Sequence, residues 1–322
     1  MTDPLTVAKS GVIEDVAVLD LTAIKTPDEL ARITAIRDVA VLLVPESLGG
    51  ALASIPMHDV ATIVPVPDGA RVRTHTGVVT MGGDGLANVG GEKTVLVVTG
   101  ALVVTSPVER IGYHDVVVTG TVVAPRGSES ALAAGLSRVT GSVAYYPYAA
   151  GQSVKVLAGQ TSLSGESLAN SSGSQDDILL VAGQLLINSP VGNLGYQQIV
   201  VAGQLIAPRQ SEALLVPTLS SFGQVVWYTG DPRIFVGKDR FGSGFFELVD
   251  EPLSLILLGK FEIEPDVPPE LVKEKVAEIV LAGQLRASPA LVPVLQLLTK
   301  QKQGEIVAVE ERGGQPSGNA ER

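Results

Sequence analysis

The sequence of 322 residues contains no cysteine, only three histidines and only 4% aromatic residues. Without cysteine there can be no disulfide and no thiolate chemistry, and a zinc site would need carboxylates brought in from afar. No apolar run approaches the length that spans a bilayer, and the N-terminus lacks the basic start and apolar core of a signal peptide. The net charge of −11 disfavours binding to nucleic-acid phosphates or anionic lipid. We therefore expect a cytoplasmic protein with no membrane span, no nucleic-acid partner and no cofactor.

Small aliphatic residues, glycine and proline are what the chain has in abundance. The hydrophobic residues make up 45% of the chain and are mostly Val, Leu, Ile and Ala, interrupted by 35 glycines and 20 prolines. Short apolar runs bounded by glycine and proline predict buried strands joined by turns.

An internal repeat is the strongest signal in the sequence. The segments 94–137 and 177–220 are identical at 20 of 44 positions when they are aligned without gaps. Within a copy the period is shorter, since Gly100 and Gly120 are 20 residues apart and Gly259 and Gly283 are 24 apart. Periods of 20 to 24 residues are typical of stacked repeat arrays. Weaker copies precede and follow this pair.

A glycine phrase marks each repeat, as in LLVAGQLLI (179–187) and IVVAGQLIA (199–207). Three consecutive apolar residues stand just before the glycine, which indicates a parallel strand that is buried on both faces. The glycine is expected to follow the strand and to turn the chain out of the ladder. The predicted turn glycines are Gly100, Gly120, Gly183, Gly203, Gly259 and Gly283.

Several connections between the predicted strands have helical signals. Thr26 is a predicted N-cap, Pro27 takes the first helical position and Glu29 completes a capping box. Four further candidate helices cover 128–138, 211–220, 268–278 and 289–302. The predicted fold class is therefore an α/β solenoid, a parallel β ladder of about 20–24-residue strand–turn–helix coils that is internally duplicated. We expect a single elongated solenoid over 12–310, with copies at about 15–90, 94–170, 177–252 and 254–310, and a disordered tail over 311–322.

Strand–turn–helix coils of this length resemble the leucine-rich-repeat architecture, with glycine at the turn where that family has asparagine. The short Val/Ile segments and glycine turns also resemble bactofilin-like polymer-forming β-solenoids, although those domains are shorter and lack helices. Both resemblances imply an elongated parallel β structure. Neither supplies site residues that can be transferred to this chain.

Chemical candidates are few. The glycine-rich segment 82–91 begins with GGDG, which resembles the phosphate-binding turn of NAD kinases and diacylglycerol kinases, but Leu86 stands where those families have threonine. A surface loop is the favoured interpretation, and ligand binding there stays open. The three histidines, His58, His75 and His114, lie in different predicted strands or turns and are interpreted as turn residues. The acidic residues Glu262, Glu264 and Asp266 are interpreted as a solvated edge near a helix N-terminus. We therefore expect no catalytic, cofactor-binding or metal-binding residue and no enzymatic activity.

The favoured functional hypothesis is a structural or scaffold protein that self-associates through its solenoid into a homo-oligomer. The first and last predicted coils, at 14–21 and 304–309, are apolar, and no obvious polar cap follows Val309. The possible interface residues are Val16, Val18 and Val307, together with Tyr146 and Trp227 from the main aromatic cluster. The alternative hypothesis is a protein-binding repeat module that does not polymerise.

Overall fold

The structure, a computed structural model, describes residues 11–88, 93–230 and 232–309. It is built mainly of parallel β-sheets, numbered here 1 to 4 in chain order. Sheet 1 contains β1 (Val12–Ile13), β2 (Val16–Asp20), β3 (Ala35–Pro45) and β4 (Met57–Val66). Sheet 2 contains β5 (Arg71–Met81), β6 (Thr94–Val104), β7 (Asp115–Pro125), β8 (Leu136–Val139) and β9 (Val143–Tyr146). Sheet 3 contains β10 (Val154–Leu163), β11 (Ile178–Ile187), β12 (Gln198–Val201), β13 (Gln204–Pro208), β14 (Leu219–Ser221) and β15 (Gln224–Tyr228). Sheet 4 contains β16 (Pro232–Phe241), β17 (Leu253–Ile263), β18 (Val276–Ala287) and β19 (Thr299–Ala308).

Short helices occupy many of the connections between these strands. They are α1 (Pro27–Leu30), α2 (Gly49–Leu52), α3 (Gly83–Ala87), α4 (Glu129–Gly135), α5 (Glu212–Leu215), α6 (Ser243–Glu247), α7 (Pro269–Lys275) and α8 (Val292–Leu298). The predicted start of α1 is confirmed, because Thr26 Oγ1 accepts a hydrogen bond from Glu29 N at 3.3 Å. All five predicted helices are present but shorter than expected, since a strand begins within or directly after each predicted segment.

Each sheet buries its inner face against its own connections. In sheet 2, Leu96, Val98 and Leu102 pack with Leu86 of α3 and Leu132 of α4. These five side chains are fully buried. The same arrangement gives sheets 1, 3 and 4 a cluster each between strands and connections.

The outer faces of the strands pack from one sheet onto the next. Val41 and Leu43 of sheet 1 contact the cluster of Val95 and Val97 in sheet 2. Further along the same strand, Val103 belongs instead to a cluster with residues of sheet 3. A third cluster joins sheets 3 and 4. Because the two halves of one strand touch different neighbouring sheets, the strand must bend between Val97 and Val103, and the sheet is curled.

Strand burial on both faces, which the three consecutive apolar residues predicted, is confirmed. The single continuous ladder expected from the period is instead divided into four sheets. A single stack would leave the outer apolar residues in water, whereas four sheets pack these residues against one another. The boundaries between sheets also lie about one strand earlier than the boundaries of the predicted copies. Edge strands such as β5, with Arg71, Arg73 and His75, do not carry the apolar phrase and so gave no repeat signal.

The face-to-face packing ends at sheet 4, where charged side chains replace the apolar ones on the second half of the outer face. Val103 and Val123 stand three residues after their glycines and contact sheet 3. In sheet 4 the same position, three residues after Gly259 and Gly283, holds Glu262 and Arg286, which line a shallow groove with Lys238 and Lys260. The expectation that no polar cap follows Val309 stays a prediction, because the residues after Val309 lie outside the described ones. The predicted disordered tail, 311–322, lies outside the described residues.

Candidate functional site: the glycine ladders and the sheet edges

Five of the six phrase glycines lie within continuous strands rather than after them, which corrects those predicted turns: Gly100, Gly120, Gly183, Gly259 and Gly283. The sixth, Gly203, lies in the short interruption between β12 and β13. Gly77, Gly100 and Gly120 are in register across β5, β6 and β7, and equivalent ladders run through sheets 3 and 4. A Cβ built on an interior ladder glycine would lie 1.8 to 2.2 Å from the carbonyl oxygen of the glycine in the preceding strand. This holds for Gly100, Gly120, Gly141, Gly183, Gly203, Gly223, Gly259, Gly283 and Gly304. Glycine is therefore required here because adjacent backbones touch at the bend.

The first glycine of each ladder differs from the interior ones. At Gly77, Gly159 and Gly237 an added Cβ would meet nothing within 4 Å, because in the part of the chain that the structure describes no strand precedes β5, β10 or β16 in its sheet. Their φ angles of +94°, +73° and +98° still favour glycine. Each ladder thus begins with an open position of the kind that a neighbouring glycine carbonyl fills elsewhere in the sheet.

A ladder of glutamines accompanies the glycines of sheet 3. Gln160, Gln184, Gln204 and Gln224 directly follow the ladder glycines and are in register. Gln184 Nε2 donates to Gln204 Oε1, and Gln204 Nε2 donates to Gln224 Oε1 at 3.0 Å. Gln204 Nε2 also reaches Gln303 Oε1 of sheet 4 at 3.2 Å. These residues line a groove of about 720 Å³ together with the ladder glycines, Val78 and Ala182.

Over the described parts of the chain, the outermost strands of each sheet pair with no further strand. In sheet 3, for example, β10 pairs only with β11, while β14 and β15 pair only with β12 and β13. An unpaired edge presents backbone N–H and C=O groups that can bind another strand. Three of the exposed large apolar side chains stand at these edges: Val143 on β9, Phe222 between β14 and β15, and Val236 on β16.

Charge is distributed unevenly over the edge strands. The outer strand β5 carries Arg71 and Arg73, and β19 carries Lys300, Lys302 and Glu305. The outer strands of sheet 3 carry only one charged residue, Lys155 on β10. Charged side chains on an edge oppose unspecific pairing, so sheet 3 has the least protected edges.

The predicted interface residues fall into two groups. Val16, Val18, Val307 and Trp227 are partly buried on outer strands of sheets 1, 4 and 3. Tyr146 is fully buried in the packing between sheets 2 and 3, and its hydroxyl donates to Val104 O at 2.7 Å. Tyr146 therefore stabilises the chain's own core and is not available to an outside partner.

Contacts made by sheet 2 recur in sheet 3 at nearly the same sequence offset as the repeat. In the first pair, Gly83 N donates to Ser106 Oγ at 2.8 Å and Gly165 N donates to Ser189 Oγ at 2.9 Å. In the second pair, Val108 N donates to Ser128 Oγ at 3.0 Å and Val191 N donates to Ser211 Oγ at 2.9 Å. In the third pair, Tyr146 Oη donates to Val104 O at 2.7 Å and Tyr228 Oη donates to Ile187 O at 2.8 Å. Serine and tyrosine hydroxyls thus satisfy the same backbone groups in both sheets.

The GGDG segment has a structural explanation in this set. A Cβ on Gly83 would lie 1.9 Å from Pro107 O, so the second glycine is needed for close packing. The equivalent Gly165 stands 2.0 Å from Pro190 O by the same measure, in a segment that reads SGES. Since Gly83 N already donates to Ser106 Oγ, this amide is not free for a phosphate. The rest of the predicted loop, 89–91, lies outside the described residues.

The remaining chemical candidates do not converge. Among the residues that the structure describes, no group of three or more His, Cys, Asp or Glu could hold a metal ion. His58 lies on β4, His75 on β5 and His114 just before β7. Asp266 Oδ2 accepts from Ser243 N at 3.1 Å at the start of α6, and this hydrogen bond holds the pKa of Asp266 below its usual value.

One polar cluster was missed from the sequence. Asp177 is 5% exposed and accepts hydrogen bonds from Asn170 Nδ2 and Ser174 N, both at 3.1 Å, while Lys155 Nζ lies 3.6 Å away. The bond from Asn170, helped by Ser174 and Lys155, lowers the pKa of Asp177. Asn170 has a φ of +49° and also donates to Gly195 O at 2.9 Å. The cluster ties the connection between β10 and β11 to the next one, which is a structural role.

Comparison with protein-family models, curated proteins and solved structures finds no match for this chain. In the described residues no helix is both long and apolar enough to cross a membrane. The edges and ladders described above therefore carry the functional argument by themselves.

Proposed function

We propose that this chain is a non-enzymatic structural protein that self-associates through the open edges of its parallel sheets. The observation that carries the proposal is that, among the described residues, the outer strands pair with no further strand, and that exposed Val143, Phe222 and Val236 stand at or beside these edges. Backbone N–H and C=O groups that a contact removes from water need hydrogen-bond partners. The edge strand of a second copy supplies these partners and covers the exposed apolar side chains, which stabilises both copies.

The finer description of the fold belongs to the same proposal. We infer that each sheet is a short solenoid of strand and connection, and that sheets 2 and 3 arose by duplication. The 20 identities in 44 positions and the recurring serine and tyrosine hydrogen bonds support this inference. A protein grown from a repeating strand unit has edges of similar shape at both sides of a sheet, which suits association of copies.

Light scattering after size-exclusion chromatography tests the proposal on the wild-type chain and on Phe222→Asp. Phe222 is 46% exposed, so a charge there should block the edge without opening the core, and the mass should fall toward that of the monomer. Leu248→Asp is the matched control, because Leu248 is 86% exposed but follows α6 and lies on no sheet edge. This control should associate like the wild type.

Two outcomes would overturn the proposal. A wild-type chain that stays monomeric at high micromolar concentration removes self-association and favours the alternative, a protein-binding module. A Leu248→Asp variant that loses association while Phe222→Asp keeps it would move the contact from the strand edges to the connections.

A further inference from the structure

The edges of sheet 3 are the least protected by charge and differ from those of the other sheets. Sheet 1 has Asp15 and Asp20 at its first edge, and sheet 4 has Lys300 and Lys302 at its last. These are the two ends that the sequence suggested would pair, and both carry charged side chains, which restrict each edge to a partner of complementary charge. In sheet 3, β14 and β15 carry no charge, and Phe222 stands exposed between them.

The geometry points to a specific seam: we propose that copies stack head to tail through sheet 3, with β15 of one copy pairing in parallel with β10 of the next. This inference rests on the proposed self-association and adds its seam, polarity and register. The register places Gly223 of one copy against Gly159 of the next. It also aligns Gln224 with Gln160, and Phe222 with Ala158.

The glycine ladder supports this register. Within the chain, the carbonyl oxygen of Gly203 lies 1.9 Å from where a Cβ of Gly223 would be, so adjacent ladder positions require glycine. Gly159 is the one ladder glycine of sheet 3 with nothing against it. In the stack, the carbonyl of Gly223 fills that place, and the same backbone contact continues across the junction.

The glutamine ladder supports it independently. Gln184, Gln204 and Gln224 form a hydrogen-bonded row along the sheet, and Gln160 is in register with them at the first edge. Stacked amides in register bond to the strands above and below, as in other continuous parallel β assemblies. Placing Gln224 beside Gln160 extends the row from one copy to the next.

The two outer strands of sheet 4, β16 and β19, can also pair between copies in the same head-to-tail direction. A stack that aligns Gly304 with Gly237 brings Glu305 of one copy beside Lys238 of the next, one residue after each glycine. Opposite charges directly across a strand pair are favourable. The charged edges therefore accept this register while they resist others.

The absence of cysteine allows a direct test, because each introduced thiol is the only one in its chain. Gln160→Cys and Gln224→Cys are made as separate variants, mixed, and oxidised mildly. Strands paired in register lie about 4.8 Å apart, within the Cα separation that a disulfide bridges. Within one chain these positions are separated by three strand spacings, about 14 Å, so an internal disulfide cannot form.

The expected result is a disulfide between one Gln160→Cys chain and one Gln224→Cys chain, identified by mass spectrometry of the linked peptides. Ala158→Cys mixed with Phe222→Cys should link equally well and keeps the test valid if a glutamine variant folds poorly, because both residues are exposed. Gln160→Cys mixed with Ser221→Cys, which is out of register, should link at least about tenfold less.

The other outcomes each decide something different. Links between two Gln160→Cys chains, or between two Gln224→Cys chains, would show a two-fold dimer and overturn the head-to-tail seam. Association in light scattering without any of these disulfides would overturn the seam and leave the proposed function standing. Monomers in light scattering would overturn both.

Discussion

At the scale of single residues, the bends depend on positions where a side chain has no room. Gly120 has a φ of +140°, and a Cβ there would lie 1.8 Å from Gly100 O. Sheet 1 has aspartate rather than glycine at positive φ, since Asp15, Asp38 and Asp59 have φ angles of +59°, +51° and +55°, so these positions do have room for a side chain. Aspartate tolerates this left-handed region better than most residues do. Each of these aspartates precedes a valine, and this repeated Asp-Val pair is visible in the sequence. Its left-handed backbone conformation could not be predicted from the glycine pattern.

We predict that Gly120→Ala destabilises the protein by about 2–5 kcal/mol, because it adds both a steric overlap with the neighbouring backbone and an unfavourable φ. Gly192→Ala is the control, since an added Cβ there meets nothing within 4 Å, and it should stay within about 0.5 kcal/mol of the wild type. Chemical denaturation followed by circular dichroism measures both variants. Equal stability of Gly120→Ala and the wild type would contradict the ladder contact.

At the scale of elements, strands were predictable wherever both of their faces are buried. Leu96, Val97 and Val98 read as a buried parallel strand and are fully buried in the structure. The outer strands were harder to predict from the sequence, because β5 and β10 face water on one edge and mix polar with apolar residues. The start of α1 followed from Thr26 and Pro27, whereas the ends of the helices did not follow from the sequence, because pairing of the next strand sets them. The seam glutamines were noticed only as part of a repeated phrase, since one sequence does not show which strand is outermost.

The last strands of sheets 2 and 3 are fastened by one tyrosine hydroxyl each. We predict that Tyr146→Phe and Tyr228→Phe each destabilise the protein by about 1–3 kcal/mol, because each removes the donor to a buried carbonyl oxygen, Val104 O or Ile187 O. Tyr148→Phe is the control, because its hydroxyl bonds to Gln152 O at a partly exposed site, and it should cost about 0.5 kcal/mol or less. Thermal and chemical denaturation of the three variants provide the measurement. A control that costs as much as the two buried changes would show that the hydroxyl bonds are not what fastens these strands.

At the scale of the whole molecule, the four sheets depend on one another. The cluster between sheets 1 and 2 contains seven buried aliphatic residues, and those between sheets 2 and 3 and between sheets 3 and 4 each contain six buried aliphatic residues and one buried tyrosine. At about 1.5–3 kcal/mol for each buried side chain, one such cluster contributes on the order of 10 kcal/mol before entropy is counted. This is comparable with the entire net stability of a typical domain. A sheet that loses its neighbour therefore exposes enough apolar surface to unfold with it.

We accordingly predict one cooperative unfolding transition, and the single tryptophan makes this testable. Trp227 lies in sheet 3, so its fluorescence reports on that sheet, while far-ultraviolet circular dichroism reports on all four. Gly283→Ala in sheet 4, where the Cβ would lie 2.0 Å from Gly259 O, should lower the denaturation midpoint seen by Trp227 as much as the midpoint seen by circular dichroism. If the sheets unfolded independently, the variant would shift only part of the dichroism signal and leave the Trp227 transition unchanged. Coincident curves for both probes, in the wild type and in the variant, are the result that the packing between sheets requires.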